Sequence, residues 1–424
     1  CVNPKVPFRC MDGIAQADSD DVDRRVGGLA ELFVSAGWGF FIVGGVVRDL
    51  FLGRQSGDID ITTDATPADT SSILAGWADT TWDQGARFGT VGARKGDVIV
   101  EITTHRSEKY HADSRKPEVE FSSKIDDDLA RRDFTINAMA IQLPSWRLVD
   151  PFDGRADLAN RVLRTPLTPE IAFSDDPLRM LRAARFLSGY QLTPPRELET
   201  AMSVMAERLD VVSKERISEE FSKFLLVERP GSGVRLLHRT GLMERLFPNI
   251  SKDENPQAQA IDLVSPNLEL RWACLLWPVL QEGTLVRQAL AGLRASNATA
   301  SRVGAIIDTA QALTEANQND QATARRLLHQ TRRTLEPAIE LLNAYEQPPL
   351  PSVLSAIDQV QELEGNEEFQ VPLDGNEVAE LIGGEGPLVG QMLDRLMEQR
   401  LRTGPLSKED ATAFVQGWRN SSEF

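Results

Sequence analysis

At 424 residues the chain is too long for one compact domain and long enough for two to four. A formal net charge of -17 excludes a surface that binds nucleic acid everywhere, so a polyanion partner must meet local basic patches. Three cysteines (Cys1, Cys10, Cys274) without a CxxC pair, and four histidines without an HExxH or HxH pattern, argue against a disulfide scaffold and a zinc enzyme.

No run of about 18 apolar residues and no charged-then-apolar leader is present, so the expectation is no membrane span, no signal peptide and a cytoplasmic location. Residues 1–21 read as a polar extension, leading through Asp18-Ser19-Asp20-Asp21-Val22-Asp23 into a helix predicted from about 24 to 37. Gly39-Phe40-Phe41-Ile42-Val43 is a short apolar run ended by two glycines, a strand signature. Ser56 to Thr62 reads as a second strand, and Phe88–Ala93 with Val98–Thr103 as a hairpin around Arg94-Lys95-Gly96-Asp97. Helical stretches lie between, which makes the chain to about 165 a mixed α/β domain.

After residue 165 strand signals nearly vanish. Asp175–Ser188, Glu197–Arg208, Ser218–Leu226 and Leu268–Trp277 carry apolar residues at three- and four-residue spacing, the period of a helix. Loops are predicted near 250–256, 316–321 and 346–352, the last on the proline cluster Gln347-Pro348-Pro349-Leu350-Pro351.

Asp58 and Asp60 sit two apart on a predicted strand, so both side chains leave one face. Carboxylates so close repel, and a hard divalent cation with oxygen ligands resolves the conflict; Mg²⁺ is the common choice where substrate phosphates complete the shell. Upstream, Gly44-Gly45-Val46-Val47-Arg48-Asp49 follows a strand and opens a helix. Glycines there let backbone N–H groups approach a triphosphate, and Arg48 lies one turn in to add charge. Glu101, on the second hairpin strand, reads either as a third carboxylate or as half of an ion pair with Arg106.

The ordered set Gly44-Gly45…Arg48-Asp49…Asp58-Ile59-Asp60 resembles the first motif of the polymerase-β-like superfamily and, more narrowly, the class II tRNA nucleotidyltransferase and bacterial poly(A) polymerase family. Further blocks agree in order: Gly85–Thr90, Arg131–Ala140, Asp150–Gly154 and Ser174–Phe186. The resemblance runs from about 38 to 250. It implies an α+β polymerase-β-like head, a mixed sheet with helices, followed by an all-α neck, body and tail. The expected boundaries are 1–21 for the extension, 22–165 for the catalytic head, 166–255 for the neck, 256–346 for the body and 347–424 for a tRNA-binding tail. The implied metal set is Asp58 and Asp60 with Mg²⁺, and the implied roles are nucleotide contact by Arg132 and ribose contact by Asp133; the alternative is that the arginines brace the acidic loop Asp126-Asp127-Asp128.

In the resembled family the block around Asp176 replaces a nucleic-acid template. Asp176 and Arg179 are three apart, hence surface neighbours on a helix. A carboxylate accepts from the exocyclic amine that cytosine and adenine share, and an arginine fork donates to the neighbouring ring nitrogen or carbonyl. Asp175 stands where the family has glutamate. Arg182 and Arg185 continue the spacing; the resemblance puts them around the nucleotide, although helix rotation carries Arg185 nearly opposite Asp176, where bracing a neighbouring helix is the equal alternative.

The resemblance therefore implies CCA addition to the 3′ end of tRNA lacking all or part of CCA, from CTP and ATP. The alternatives are a poly(A) polymerase, a partial CC- or A-adding enzyme and, in another class, a non-catalytic RNA-binding protein. Tyr110–Glu120 matches the loop that accompanies the switch from C to A addition, and its full length favours complete CCA synthesis. Ser213–Phe221 resembles a structural neck motif, and Leu373–Pro387 the family tail. No His-Asp dipeptide occurs, so no second, hydrolytic domain is expected. Arg325, Arg326, Arg332 and Arg333 form a basic helical patch for RNA phosphates or a solvated face. Monomer and homodimer both stay open.

Overall fold

A computed structural model describes residues 14–54, 59–83, 89–109, 118–248, 255–316, 320–365 and 367–420. Asp58, residues 85–88 of the family block Gly85–Thr90 and loop residues 110–117 lie outside that set. The chain divides into two compact units, Cys1–Ser213 with Leu236–Arg245, and Lys214–Arg235 with Leu246–Phe424. The expected neck (166–255) is thus shared between the units, and the expected body and tail fall in one.

In the first unit α1 (Gln16–Val22) leads through a wide π turn, Asp23–Gly27, into α2 (Gly28–Ser35). Part of the expected polar extension is therefore helical. The helix expected from 24 to 37 is present to Ser35, its first turn widened into the π turn that ends at Gly27, next to Gly28, two poor helix formers.

The head then runs β1 (Phe41–Val43), α3 (Gly45–Leu52), β2 (Ile59–Thr63), α4 (Pro67–Ala75), β3 (Thr80–Trp82), β4 (Thr90–Lys95) and β5 (Val98–Thr104). It continues with β6 (Arg106–Lys109), β7 (Glu118–Phe121), α5 (Ile125–Ala130), β8 (Ala140–Gln142), β9 (Arg147–Val149) and α6 (Gly154–Asn160). Seven strands form one mixed sheet in the order β3-β4-β5-β2-β1-β8-β9, and β6 pairs with β7 as a separate ribbon. The sheet is antiparallel except where β2 lies parallel to β5, matching Ile59 to Val100 and Asp60 to Glu101. Ile59, Ile61, Val100 and Ile102 are buried, so Asp60 and Glu101 emerge between apolar neighbours on the opposite face. Asp150, in the family block Asp150–Gly154, accepts from the Gly154 and Arg155 N–H groups at 2.7 and 3.0 Å, capping α6.

After β9 no strand occurs among the described residues. α7 (Pro169–Asp175), α8 (Arg179–Tyr190) and α9 (Arg196–Val204) complete the first unit's main helices. The single helix predicted over Asp175–Ser188 is therefore two. Pro177 has no N–H to donate and drives Asp176 into extended geometry, φ -141° and ψ 101°, so the chain breaks before Arg179.

The second unit is all-helical in its described part. α10 (Lys214–Leu225) opens it; α11 (Gly231–Arg239) and α12 (Leu242–Leu246) have residues in both units. There follow α13 (Asn255–Leu263), α14 (Leu268–Leu276), α15 (Gly283–Gly292), α16 (Asn297–Glu315), α17 (Gln321–Thr331) and α18 (Leu335–Ala344). The last four are α19 (Pro351–Glu364), α20 (Gly375–Ile382), α21 (Pro387–Thr403) and α22 (Lys408–Asn420). Pro351 sits at the first turn of α19, where a missing N–H costs nothing, so the proline cluster ends one helix and starts the next. α20–α22 close around their own small core of Val378, Ile382, Met392, Leu396 and Val415. No helix among the described residues is long and apolar enough to cross a membrane.

The expected basic patch on α17 and its exit is mostly neutralised. Arg325 and Arg400 share Glu364 at 2.7 and 2.6 Å with all three side chains buried, Arg326 meets Glu398 at 2.5 Å, and Arg333 meets Glu368 at 3.4 Å.

Candidate active site

Asp60 and Glu101 are register partners on parallel strands, about 4.8 Å apart by strand spacing, and both are exposed. Glu101 forms no ion pair among the described residues, and Arg106 donates instead to Thr90 Oγ1 at 2.8 Å. That geometry favours the third-carboxylate reading of Glu101 over the Arg106 pair. Adjacent exposed oxygen donors of like charge suit a hard divalent cation.

Gly44 stands beside this pair, at φ 73° and ψ -128°, a conformation essentially confined to glycine. A Cβ built there would lie 2.6 Å from Arg132 Nη1 and 3.9 Å from Asp60 Oδ2, so the bare Cα lets the guanidinium settle beside the acidic site. The Gly44 N–H itself donates to Met139 O at 3.3 Å, and α3 starts at Gly45. Arg132 is oriented from α5. Asp128, 1% exposed, accepts from Arg131 at 3.1 Å and Arg132 at 3.3 Å. Burial alone would raise its pKa, yet Arg132, then Arg131, outweigh burial and hold the carboxyl below its usual range. These ion pairs are those of the alternative reading, in which the arginines brace the acidic loop through Asp128. Its positions three and four residues before the two arginines, on one helical turn, are the signal that identifies it.

Arg48 has a different job from the one its place in the glycine motif suggests. Its Nη1 donates to Asn137 Oδ1 at 2.6 Å and its Nε and Nη2 to Asp49 at 3.0 Å. Its Cζ lies 4.3 Å from the Tyr190 ring centroid, and only 7% of the residue is exposed. A guanidinium so engaged braces α3 against α8.

The same holds for Asp133, expected at the ribose. Its Oδ1 accepts from Phe134 N–H at 2.8 Å and Asn137 Nδ2 at 3.0 Å, and its Oδ2 from Arg182 Nε and Nη2 at 2.9 and 2.5 Å. All four acceptor positions are filled. Burial would raise this pKa, but Arg182 and the hydrogen bonds prevail and hold it low. Asp133 and Arg182 thus tie the Arg-Arg-Asp block to α8, with Asn137 linking them to Arg48.

Asp176 and Arg179 come together across a turn and not along a helix. The Asp176 carboxylate accepts from Leu178 N–H at 3.1 Å, and the Arg179 backbone N–H donates to Asp176 O at 3.0 Å. Arg179 Nη2 reaches Arg131 O at 2.5 Å, one residue from Arg132. Arg185 lies with Cζ 4.5 Å from the Phe186 ring centroid. Asp176, Arg179, Arg182 and Arg185 are all half-buried.

His105 lies under the acidic site, 1% exposed, with Nδ1 2.8 Å from Thr62 Oγ1. Burial lowers its pKa from 6.5 against the pull of Asp128 and Asp64. The folded chain therefore resists a proton that the unfolded chain accepts. Its stabilising share is complete above about pH 6.5 and is lost as the pH falls below that value. Between about pH 7.5 and 5.5 the urea midpoint of the native chain is expected to fall further than that of His105→Gln. Equal slopes would mean that His105 does not contribute.

A mixed sheet presenting two carboxylates beside a glycine turn, with an arginine laid over that glycine, defines a nucleotidyltransferase head. Residues 40–164 match the poly A polymerase head domain, and residues 191–254 the family described as a probable RNA and SrmB-binding site of polymerase A. The CCA-adding enzyme of Lactobacillus helveticus is 32% identical over 391 residues, which cover 91% of this chain and 95% of that protein. That of Bacillus subtilis is 39% identical over 230 residues, 54% of this chain and 56% of the relative. The chain belongs to the CCA-adding enzyme family. Among solved structures, Bacillus stearothermophilus CCA-adding enzyme in complex with CTP aligns with TM-score 0.74 and 27% identity, covering 94% of this chain and 98% of the other. Thermotoga maritima CCA-adding enzyme complexed with tRNA shares the fold at TM-score 0.66 and 20% identity over 94% of this chain and 95% of the other.

Proposed function

We propose that the chain completes tRNA 3′ ends, adding C, C and A from CTP and ATP without a nucleic-acid template, and that it does so in the cytoplasm. The observation that carries the reading is the matched register of Asp60 and Glu101 beside Arg132, in a chain similar over nine-tenths of its length to a CCA-adding enzyme. Enzymes of this family generally need a divalent metal. Here Asp58 and Asp60, with Glu101 as third carboxylate, would hold Mg²⁺, which when bound neutralises charge on the reacting phosphate and the departing pyrophosphate.

The chain's own groups do the remaining work. Arg132, oriented by Asp128, offers guanidinium donors beside the carboxylates, where a triphosphate would lie. The primer's 3′-hydroxyl attacks the α-phosphate, its proton leaves to solvent or a carboxylate, and the bond to pyrophosphate breaks. Asp176 and Arg179, each fixed by a backbone partner, present one acceptor and one donor edge to the incoming base. Cytosine and adenine match that edge. Uracil and guanine set a carbonyl against the carboxylate, at a cost of about 1–3 kcal/mol. Arg182 and Arg185 hold α8 in place for this reading.

The test uses tRNAs ending before CCA, after C and after CC, each with one labelled nucleotide and Mg²⁺. The expected products are CMP, CMP and then a single AMP. Stopping at CC, adding A without limit, or accepting UTP would each overturn the proposal, the second in favour of a poly(A) polymerase, whose head domain this chain shares.

A further inference from the structure

Where α17 passes into α18 the second unit contains a cavity of about 350 Å³, lined among others by His329, Gln330, Arg332, Arg333, Glu368 and Phe369. Arg325, Arg326, Arg333 and Arg400 each have a carboxylate partner. Arg332 has none among the described residues, and its Nη1 and Nη2 are buried without a hydrogen-bond partner. Its Cζ lies 4.9 Å from the Phe369 ring centroid, so the ring face offsets part of the charge. The ring offers nothing to the N–H groups in the guanidinium plane. A buried cation with unused donors is costly, and an oxyanion that accepts from both at once removes the cost.

The surroundings fit an anion of more than one charge. His329 and Gln330 are exposed at the cavity, and Arg333, 82% exposed, adds a second guanidinium. Glu368 is the one carboxylate among the lining residues, and Arg333 answers it at 3.4 Å. This is a local surplus of positive charge in a chain of net charge -17. A tetrahedral phosphoryl group matches the fork of Arg332, and Arg333 and His329 line the same cavity. The volume leaves room for an attached sugar.

We propose that the cavity at the α17–α18 junction is a phosphoryl-binding site anchored by Arg332. The phosphoryl group belongs either to the RNA backbone or to free phosphate or pyrophosphate. The RNA source rests on the tRNA substrate proposed above, whereas the phosphate chemistry does not.

The full chain is compared with Arg332→Gln and Gln330→Glu. The second places a like charge in the cavity at an exposed position and keeps the protein foldable should Arg332→Gln fail to fold. Binding of CCA-less tRNA is measured across salt concentrations. Thermal midpoints are measured with inorganic phosphate and with pyrophosphate against chloride of equal ionic strength. If the source is RNA, both variants bind tRNA several-fold more weakly, and the slope of log affinity against log salt shrinks by about 0.7–0.9, one phosphate's worth. If the source is free phosphate, the native chain gains several degrees that Gln330→Glu does not, and tRNA affinity is unchanged. Native and variant chains alike in both assays would overturn the site. CMP incorporation by the native chain, measured alongside, reports on the proposed activity separately.

Discussion

Asp60→Ala is expected to lose CMP and AMP incorporation together, by about 10³-fold or more, because several kcal/mol of charge stabilisation leaves with the cation's ligand. Asp60 is exposed between buried Ile59 and Ile61, so its stability effect should stay within about 0.5 kcal/mol. Steady-state incorporation on tRNA ending before CCA, beside a thermal melt, separates the two effects. An active Asp60→Ala would remove the acidic pair from the reaction. Glu101→Gln refines the point, since it keeps shape and removes charge. As third carboxylate, Glu101 is expected to give a similar loss on substitution. In chelator, the same change should slightly raise the melting midpoint, because it relieves like-charge repulsion between register partners.

The second large effect concerns folding. Glu364→Gln leaves Arg325 and Arg400, whose side chains are 7% and 8% exposed, without their shared carboxylate. Breaking a buried pair by removing one partner costs about 3–5 kcal/mol, and here two cations lose it at once. The second unit's melting midpoint is expected to fall by on the order of 10 °C. Glu398→Gln is the control. Its partner Arg326 and Glu398 itself are 42% and 58% exposed, and exposed pairs contribute about 0–1 kcal/mol. If the two variants melted alike, the ion trio would not hold α17, α19 and α21 together.

Local pattern made much of the head legible. The β4–β5 hairpin shows in its flanking apolar runs, and β1 and α3 in an apolar run stopped by two glycines. What stayed out of reach was pairing between distant segments. Nothing in residues 59–63 or 98–104 announces that these strands lie parallel, so the sequence leaves Glu101 with two readings, and its place opposite Asp60 is what supports the third-carboxylate one. The same limit applies to arginines. Arg48 stands in the glycine motif, but its partner Asn137 is 89 residues away, and that contact decides that it braces the fold. The break before α8 is absent from the sequence reading although Pro177 is plain in the sequence. The apolar spacing on either side masked it. Asp128 shows the opposite case: its spacing to Arg131 and Arg132 is local and readable, and the structure shows that it is this member of the acidic loop that both arginines meet.

The glycine turn and the Arg-Arg-Asp block are usually counted as two motifs, but the contact between Gly44 and Arg132 makes them one mechanical unit. A methyl group at position 44 would occupy space that Arg132 Nη1 fills. In a double-mutant cycle the costs of Gly44→Ala and Arg132→Ala should therefore not add. Once the guanidinium is gone, the alanine meets only the backbone strain of a left-handed site, and the remainder of its penalty is the measured coupling. Drift at either position is thus constrained by the other, although the two stand 88 positions apart in the chain.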